Sequence, residues 1–138
     1  MPFLFVGERR SRTAMRRGYS WPDKRLCGRT LAGALHACGV DPEQYECINV
    51  YTDEGALDRQ ALTSIRTASA GGWVVVGLGR AVQRVLTVAG IPHRAMIHPA
   101  ARGQIRRREA YQKHVAAIVL EQTTQGGCDG TTPREVVP

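Results

Sequence analysis

Four short apolar segments alternate with helical segments along most of the chain, and this alternation limits the available folds more than any other feature. The apolar segments are residues 2–6, 45–50, 73–76 and 93–97. Short apolar runs bounded by glycine, asparagine or proline are typical of buried strands. Strands that alternate with helices form a parallel sheet covered on both faces. The sequence therefore predicts an α/β fold, a three-layer α/β/α sandwich around a central four-stranded parallel sheet.

Apolar residues at helical spacing mark the segments between the predicted strands. This spacing predicts a short helix at 12–17 inside a long loop of 7–25, and longer helices at 26–38, 55–67, 80–89 and 104–120. After residue 121 the chain is polar and glycine-rich with little periodicity. A length of 138 residues fits a single domain. We therefore expect one domain over residues 1–121 and a flexible C-terminal tail over residues 122–138.

The net charge is positive and is carried almost entirely by arginine. Lys and Arg number 19 against 12 Asp and Glu, and only Lys24 and Lys113 are lysines. A guanidinium donates two parallel hydrogen bonds to a phosphate, so this excess favours a polyanionic partner, most often a nucleic acid. A general surface charge, in a protein from a genome that favours arginine, explains the same excess.

The four cysteines indicate no metal site. Cys27, Cys38, Cys47 and Cys128 include no CxxC pair and no Cys–His group at ligand spacing. The sequence shows no secretory signal and no apolar run long enough to span a bilayer. We therefore expect a cytosolic monomer with reduced thiols, no membrane attachment, no metal and no cofactor.

The ends of the first two strands carry residues suited to chemistry, and ligands bind at the carboxyl ends of strands in such folds. Glu8 follows Gly7 at the first strand end, where a carboxylate can orient or deprotonate water. A solvated Glu paired with a nearby arginine is the simpler interpretation. Asn49 ends the second strand, where its amide can match the edge of a nucleobase. A turn-forming asparagine remains the alternative.

The ends of the other two strands carry a glycine turn and a histidine. The Gly-Leu-Gly turn at 77–79 lacks the third glycine of a dinucleotide-binding motif, because Val82 stands there. We interpret it as tight packing of strand against helix, with a phosphate contact left open. His98, followed by the rigid Pro99, is placed for chemistry in the cleft, and a structural role remains equally open.

Taken in chain order, these segments resemble the motifs of the uracil-DNA glycosylase superfamily. The matching segments are Val6-Gly7-Glu8-Arg9-Arg10-Ser11 for the GExPG motif, Cys47-Ile48-Asn49-Val50 for the strand that ends in a base-reading asparagine, residues 75–81 for the third strand and its helix, and His98-Pro99-Ala100-Ala101 for the HPAA motif. No single motif is specific, but four occur in the right order between residue 3 and about residue 120.

Three departures from the family pattern stand out. Arg9 and Arg10 replace the small residue and the proline of the first motif, and Arg102 stands where relatives carry a larger apolar wedge. The cysteine cluster of that branch is missing, so the resemblance implies no iron–sulfur cluster. We therefore expect a minimal member of the superfamily with a differently shaped water-binding loop.

The resemblance implies a role for each strand-end residue. Glu8 would position or activate the hydrolytic water, and His98 would donate a hydrogen bond to the pyrimidine O2 as negative charge develops on the leaving base. Asn49 would read the base edge, with Gly7 beside it. Trp21 would stack on the flipped base, with Tyr19 as the second candidate. Trp21 packed beneath the loop is the alternative.

The resemblance also implies that the arginine-rich loops bind single- or double-stranded DNA from which the target base is flipped. The implied DNA-binding residues are Arg9, Arg10, Ser11, Arg102, Arg106 and Arg107, with Arg102 as the wedge. The expected activity is hydrolysis of the N-glycosidic bond of uracil or another modified base, a step in DNA repair. Two alternatives stay open: a non-catalytic nucleic-acid- or nucleotide-binding module on this fold, and a hydrolase of free nucleotides.

Overall fold

The computed structural model describes residues 2–24, 26–100 and 107–125, and it confirms the predicted fold class. Its sheet contains four strands in the order β2-β1-β3-β4, and every neighbouring pair is parallel. The strands are β1 (Phe3–Gly7), β2 (Tyr45–Asn49), β3 (Val74–Leu78) and β4 (Arg94–Met96).

Helices follow each strand and cover both faces of the sheet. They are α1 (Arg12–Arg17), α2 (Cys27–Ala37), α3 (Arg59–Ala70), α4 (Arg80–Val88) and α5 (Arg108–Gln125). Two short 3₁₀ helices, Trp21–Asp23 and Pro42–Gln44, lie in the connections on either side of α2. None of the helices in the described part of the chain is long and apolar enough to cross a membrane.

The alternation of side chains along β1 divides the core into two halves. Phe3 and Phe5 face a cluster built with α2 and α5, whereas Leu4 and Val6 face a cluster built with α3 and α4. Successive side chains of a strand point to opposite faces, so the all-apolar sequence of β1 fills both layers. Each large side chain buried in this way contributes roughly 1.5–3 kcal/mol. The result is the three-layer sandwich.

The connection between β2 and α3 differs from the prediction, because α3 begins at Arg59 rather than at residue 55. The Oδ1 atom of Asp58 accepts the Ala61 N–H at 3.0 Å and caps the helix. Residues 51–57 form a turn instead, with Gly55 at a φ of +91° and an antiparallel bridge from Tyr51 to Leu57. This turn stands directly at the carboxyl end of β2.

Helix α5 is shifted towards the C-terminus relative to the prediction. It begins at Arg108 and continues to Gln125, so residues 122–125, predicted as the start of a tail, are helical. The remainder of that tail, and residues 104–106 of the predicted helix, lie outside the described residues.

Pairing of the strands brings their carboxyl ends to one edge. The Val50 N–H donates to the Gly7 carbonyl at 3.0 Å, and the Tyr51 N–H donates to the Glu8 carbonyl at 2.9 Å, so the pairing continues beyond β1. The connection from β1 runs to β2 on one side of the sheet, and the connection from β3 runs to β4 on the other side. A crevice at such a reversal is where ligands bind in parallel sheets.

Candidate functional site

A cavity of about 340 Å³ lies at the carboxyl ends of the strands. It brings together side chains from the loop after β1, from the end of β2 and from the segment after β4. The predicted site residues in its lining are Glu8, Arg9, Arg10, Ser11, Trp21, Asn49 and His98. A second cavity of the same volume lies on the other side of Trp21 and contains neither predicted catalytic residue.

Trp21 holds the side chain of Asn49 in place by a hydrogen bond. The Nε1–H of Trp21 donates to the Oδ1 atom of Asn49 at 2.8 Å. An indole nitrogen only donates, so it fixes which end of the amide faces the ring. The Nδ2 group of Asn49, with its two N–H donors, is therefore turned away from the indole.

Trp21 is placed by the short 3₁₀ helix that it begins. The backbone N–H of Ser20 donates to the Oδ2 atom of Asp23 at 2.7 Å, and this reciprocal cap fixes the start of the turn. The indole occupies a slot between two glycines. An added Cβ would lie 2.8 Å from the ring at Gly7 and 3.5 Å from it at Gly28. Trp21 therefore lines the cavity and packs between these two glycines, and its stacking on a base stays a prediction.

Gly7 makes room for the Trp21–Asn49 pair. A Cβ at this position would also lie 2.7 Å from the Oδ1 atom of Asn49, closer than real Cβ contacts allow. The lack of a side chain at Gly7 thus leaves space for two other side chains of this chain.

His98 is half-buried and carries its neutral-state proton on Nε2. The backbone N–H of Ala100 donates to the Nδ1 atom of His98 at 2.9 Å, so Nδ1 is the unprotonated ring nitrogen. Burial lowers the pKa of His98, and the charge of Glu8 opposes this shift only in part. At neutral pH the ring is therefore an uncharged hydrogen-bond donor through Nε2. Gly79, at a φ of +91°, packs against its Cβ.

Arg10 ties the loop after β1 to the turn after β2. Its Nη2 and Nε atoms donate to the two carboxylate oxygens of Asp53 at 2.6 and 3.2 Å, and its Nη1 donates to the Tyr19 carbonyl at 3.1 Å. This pairing lowers the pKa of Asp53 and raises that of Arg10. Three of the five guanidinium donors are thus used within the protein. The DNA contact predicted for Arg10 stays a prediction.

The other predicted DNA-binding residues fall into three groups. Arg9 is exposed against the turn at Gly55, and the Oγ atom of Ser11 accepts the Ala14 N–H at 3.1 Å, which caps α1. Arg107 is exposed directly before α5. Arg102 and Arg106 lie outside the described residues.

The sequence did not lead us to Asp53 as the partner of Arg10, or to Leu26 as part of the cavity lining. Asp53 lies four residues after Asn49 in a Thr-Asp-Glu-Gly turn, so the rule that selects strand ends could have found it. Leu26 lines the cavity and is 44% exposed, with a backbone φ of +56° that is unusual for a leucine. No sequence signal marks that conformation.

Neither a protein-family model nor a curated protein matches this chain. Among the residues that the structure describes, no three His, Cys, Asp or Glu side chains lie close enough to hold a metal ion. Any functional assignment therefore rests on the side chains that line the cavity.

The crowding at Gly7 predicts a pair of opposite stability changes. Gly7→Ala should lower the free energy of unfolding by about 1–3 kcal/mol, because its methyl group overlaps the Trp21–Asn49 pair. Gly33→Ala, in α2 with open space around its Cβ, should raise it by about 0.5–1 kcal/mol through helix propensity. Urea unfolding of both variants measures this. Equal stability of the two variants would contradict the account.

The Arg10–Asp53 ion pair predicts a stability difference that depends on pH. Because pairing lowers the pKa of Asp53 below its ordinary 3.8, the unfolded chain binds more protons near that pH than the folded protein does. The contribution is present above about pH 4 and is lost as the pH falls through the lowered pKa. The Tm difference between wild type and Asp53→Asn should therefore be largest near neutral pH and shrink in acid. A difference independent of pH would show that the ion pair is not its source.

Proposed function

We propose that this protein is a DNA N-glycosylase of the uracil-DNA glycosylase superfamily, which hydrolyses the bond between uracil or another modified base and its deoxyribose. The observation that carries the proposal is that Glu8, Asn49 and His98, from three separate strand ends, line one cavity. A carboxylate, an amide and a neutral imidazole are the groups that such a hydrolysis needs.

His98 would act on the leaving base. As the bond between C1′ and the base nitrogen breaks, its electron pair stays with the base, and negative charge spreads to the ring carbonyls. The Nε2–H of a neutral His98 can donate to such an oxygen, and a donor aimed at developing charge is often the largest catalytic contribution. Burial supports this role because it lowers the pKa of His98 and so keeps the ring uncharged.

Glu8 would act on the sugar side of the same bond. Positive charge develops on the deoxyribose as the base departs, and a nearby carboxylate stabilises it. The same carboxylate can accept a proton from the water whose oxygen bonds to C1′. Glu8 is exposed at the cavity and close enough to His98 for its charge to influence that ring.

Asn49 would select the base. The hydrogen bond from Trp21 to its amide oxygen turns the two N–H donors of Asn49 away from the indole, and these donors favour a base edge that presents a carbonyl oxygen. A pyrimidine with two carbonyl groups fits these donors and that of His98. A base with an amino group in place of that carbonyl would set its own N–H donors against those of Asn49 or His98. Donors left unpaired in this way cost free energy.

DNA is the proposed carrier of the base. A cavity of about 340 Å³ is at the small end of ligand sites and suits one flipped nucleobase. The net charge of +7 favours the phosphate backbone, and Arg9 stands exposed at the cavity.

Release of free base from uracil-containing oligonucleotides tests the proposal. Wild-type protein should release base, and His98→Ala should lower kcat by about 10²–10³-fold because one donor to the leaving group is lost. His36→Ala is the matched control, since His36 is exposed on α2 and away from the cavity. Full activity in His98→Ala would overturn the assigned role.

The same assay separates the two other candidate functions. No release from any single- or double-stranded substrate in a panel of deaminated and modified bases would reject the glycosylase. Salt-dependent DNA binding without release would then favour a non-catalytic binding module. Turnover of mononucleotides in the absence of polymer would favour a hydrolase of free nucleotides.

A further inference from the structure

The segment that carries His98 leaves the sheet at an edge. Strand β4 contains three residues, Arg94–Met96, and among the described residues it pairs with β3 alone. Ile97 follows it and directly precedes His98. Backbone groups at a sheet edge lack a second strand to pair with, so other partners have to hold them.

Helix α5 supplies both partners for Ile97. The backbone N–H of Ile97 donates to the Nε2 atom of His114 at 2.9 Å. The hydroxyl of Tyr111 donates to the carbonyl of Ile97, also at 2.9 Å, and this carbonyl belongs to the peptide bond that joins Ile97 to His98. One helix therefore fixes the backbone immediately before the candidate catalytic histidine.

Tyr111 and His114 are three residues apart on α5 and so lie on the same face of the helix. Their ring centroids are 6.0 Å apart. Tyr111 is buried in the core cluster shared with α2 and the sheet, so its hydroxyl is a rigid support. His114 is half-buried beside it.

On the other side of His98, the Ala100 N–H holds the ring through Nδ1, and the buried Pro99 restricts the backbone between them. We propose that Tyr111 and His114 are positioning residues that set the direction of the His98 ring, and that His114 does so only while its own ring is neutral. The catalytic part of this inference rests on the proposed function.

The requirement for a neutral His114 follows from its role as an acceptor. A protonated imidazole has no free acceptor atom, so protonation breaks the bond from the Ile97 N–H. The other titratable or charged groups on the elements that meet there are His93 and Arg94 at β4, and Arg108, Glu109, Tyr111 and Lys113 of α5. The Arg94 Nη1 donates to the Ile118 carbonyl, and Glu8 acts on His98 through its charge. Burial lowers the pKa of both His98 and His114, so both rings are neutral at neutral pH and take up a proton only in acid.

Three variants test the proposal in the base-release assay. Tyr111→Phe and His114→Leu should each lower kcat roughly tenfold or more with little change in KM, because a small displacement of a catalytic group is costly. His114→Gln should retain most of the activity, since its side-chain oxygen can accept the Ile97 N–H. Tyr45→Phe and His36→Gln, both away from the cavity, are the matched controls. Unchanged kcat in Tyr111→Phe and His114→Leu would overturn the proposal.

The pH profile distinguishes positioning from a merely structural role. The acid limb of kcat should be steeper in the wild type than in His114→Gln, because protonation of His114 removes the acceptor of the Ile97 N–H and glutamine does not titrate. An identical limb in both proteins would contradict the role of His114.

Backbone and ring measurements decide the positioning itself without any enzymatic activity. Hydrogen exchange of the Ile97 amide should be slow in the wild type and in His114→Gln, and fast in His114→Leu. NMR of the His98 ring should show one fixed environment in the wild type and averaging in Tyr111→Phe. If these hold while no base is released, the positioning stands and the proposed function fails. If exchange and ring signals are unchanged in every variant, the positioning is wrong.

Discussion

Parallel pairing of β1 with both of its neighbours is the constraint on which the rest of the structure depends. Gly7 of β1 lies beside Asn49 of β2, and Val6 lies beside Gly77 of β3. This register aligns the carboxyl ends of the strands, so the residues that follow them meet at one edge. Because β1 is apolar on both faces, any slip by one residue would misplace both halves of the core. The position of the cavity is therefore fixed by packing far from it.

The long loop after β1 becomes part of the site through two polar contacts. The Trp21 indole reaches Asn49, and the Arg10 guanidinium reaches Asp53. Each contact joins the loop to the end of β2, and each uses a group that would otherwise be a free donor at the cavity. The chain thus orders its binding groups through its own side chains, and the groups left for a ligand include N–H donors and the carboxylate of Glu8.

Much of the fold could be predicted because its signals are local. Apolar runs with clear ends predicted the four strands, and the short helix expected inside the first loop has its predicted bounds, Arg12–Arg17. The start of α3 was predicted at residue 55, whereas the helix begins at Arg59. The apolar pattern did not show that Asp58 caps the helix there. Glu8, Asn49 and His98 were found by the rule for strand ends. The Trp21–Asn49 and Arg10–Asp53 contacts span 28 and 43 residues, and such partners follow from tertiary packing alone.

The protonation state of His98 tests the account most directly, because a neutral Nε2–H donor facing the base links the fold to the proposed chemistry. Nitrogen NMR of the His98 ring should show the Nε2–H form at neutral pH and a transition below 6.5, the ordinary value for histidine. Addition of an oligonucleotide with a hydrolysis-resistant deoxyuridine analogue should then shift the Nε2 signal more than the Nδ1 signal. A ring protonated on Nδ1, or one that does not respond to the oligonucleotide, would contradict the account.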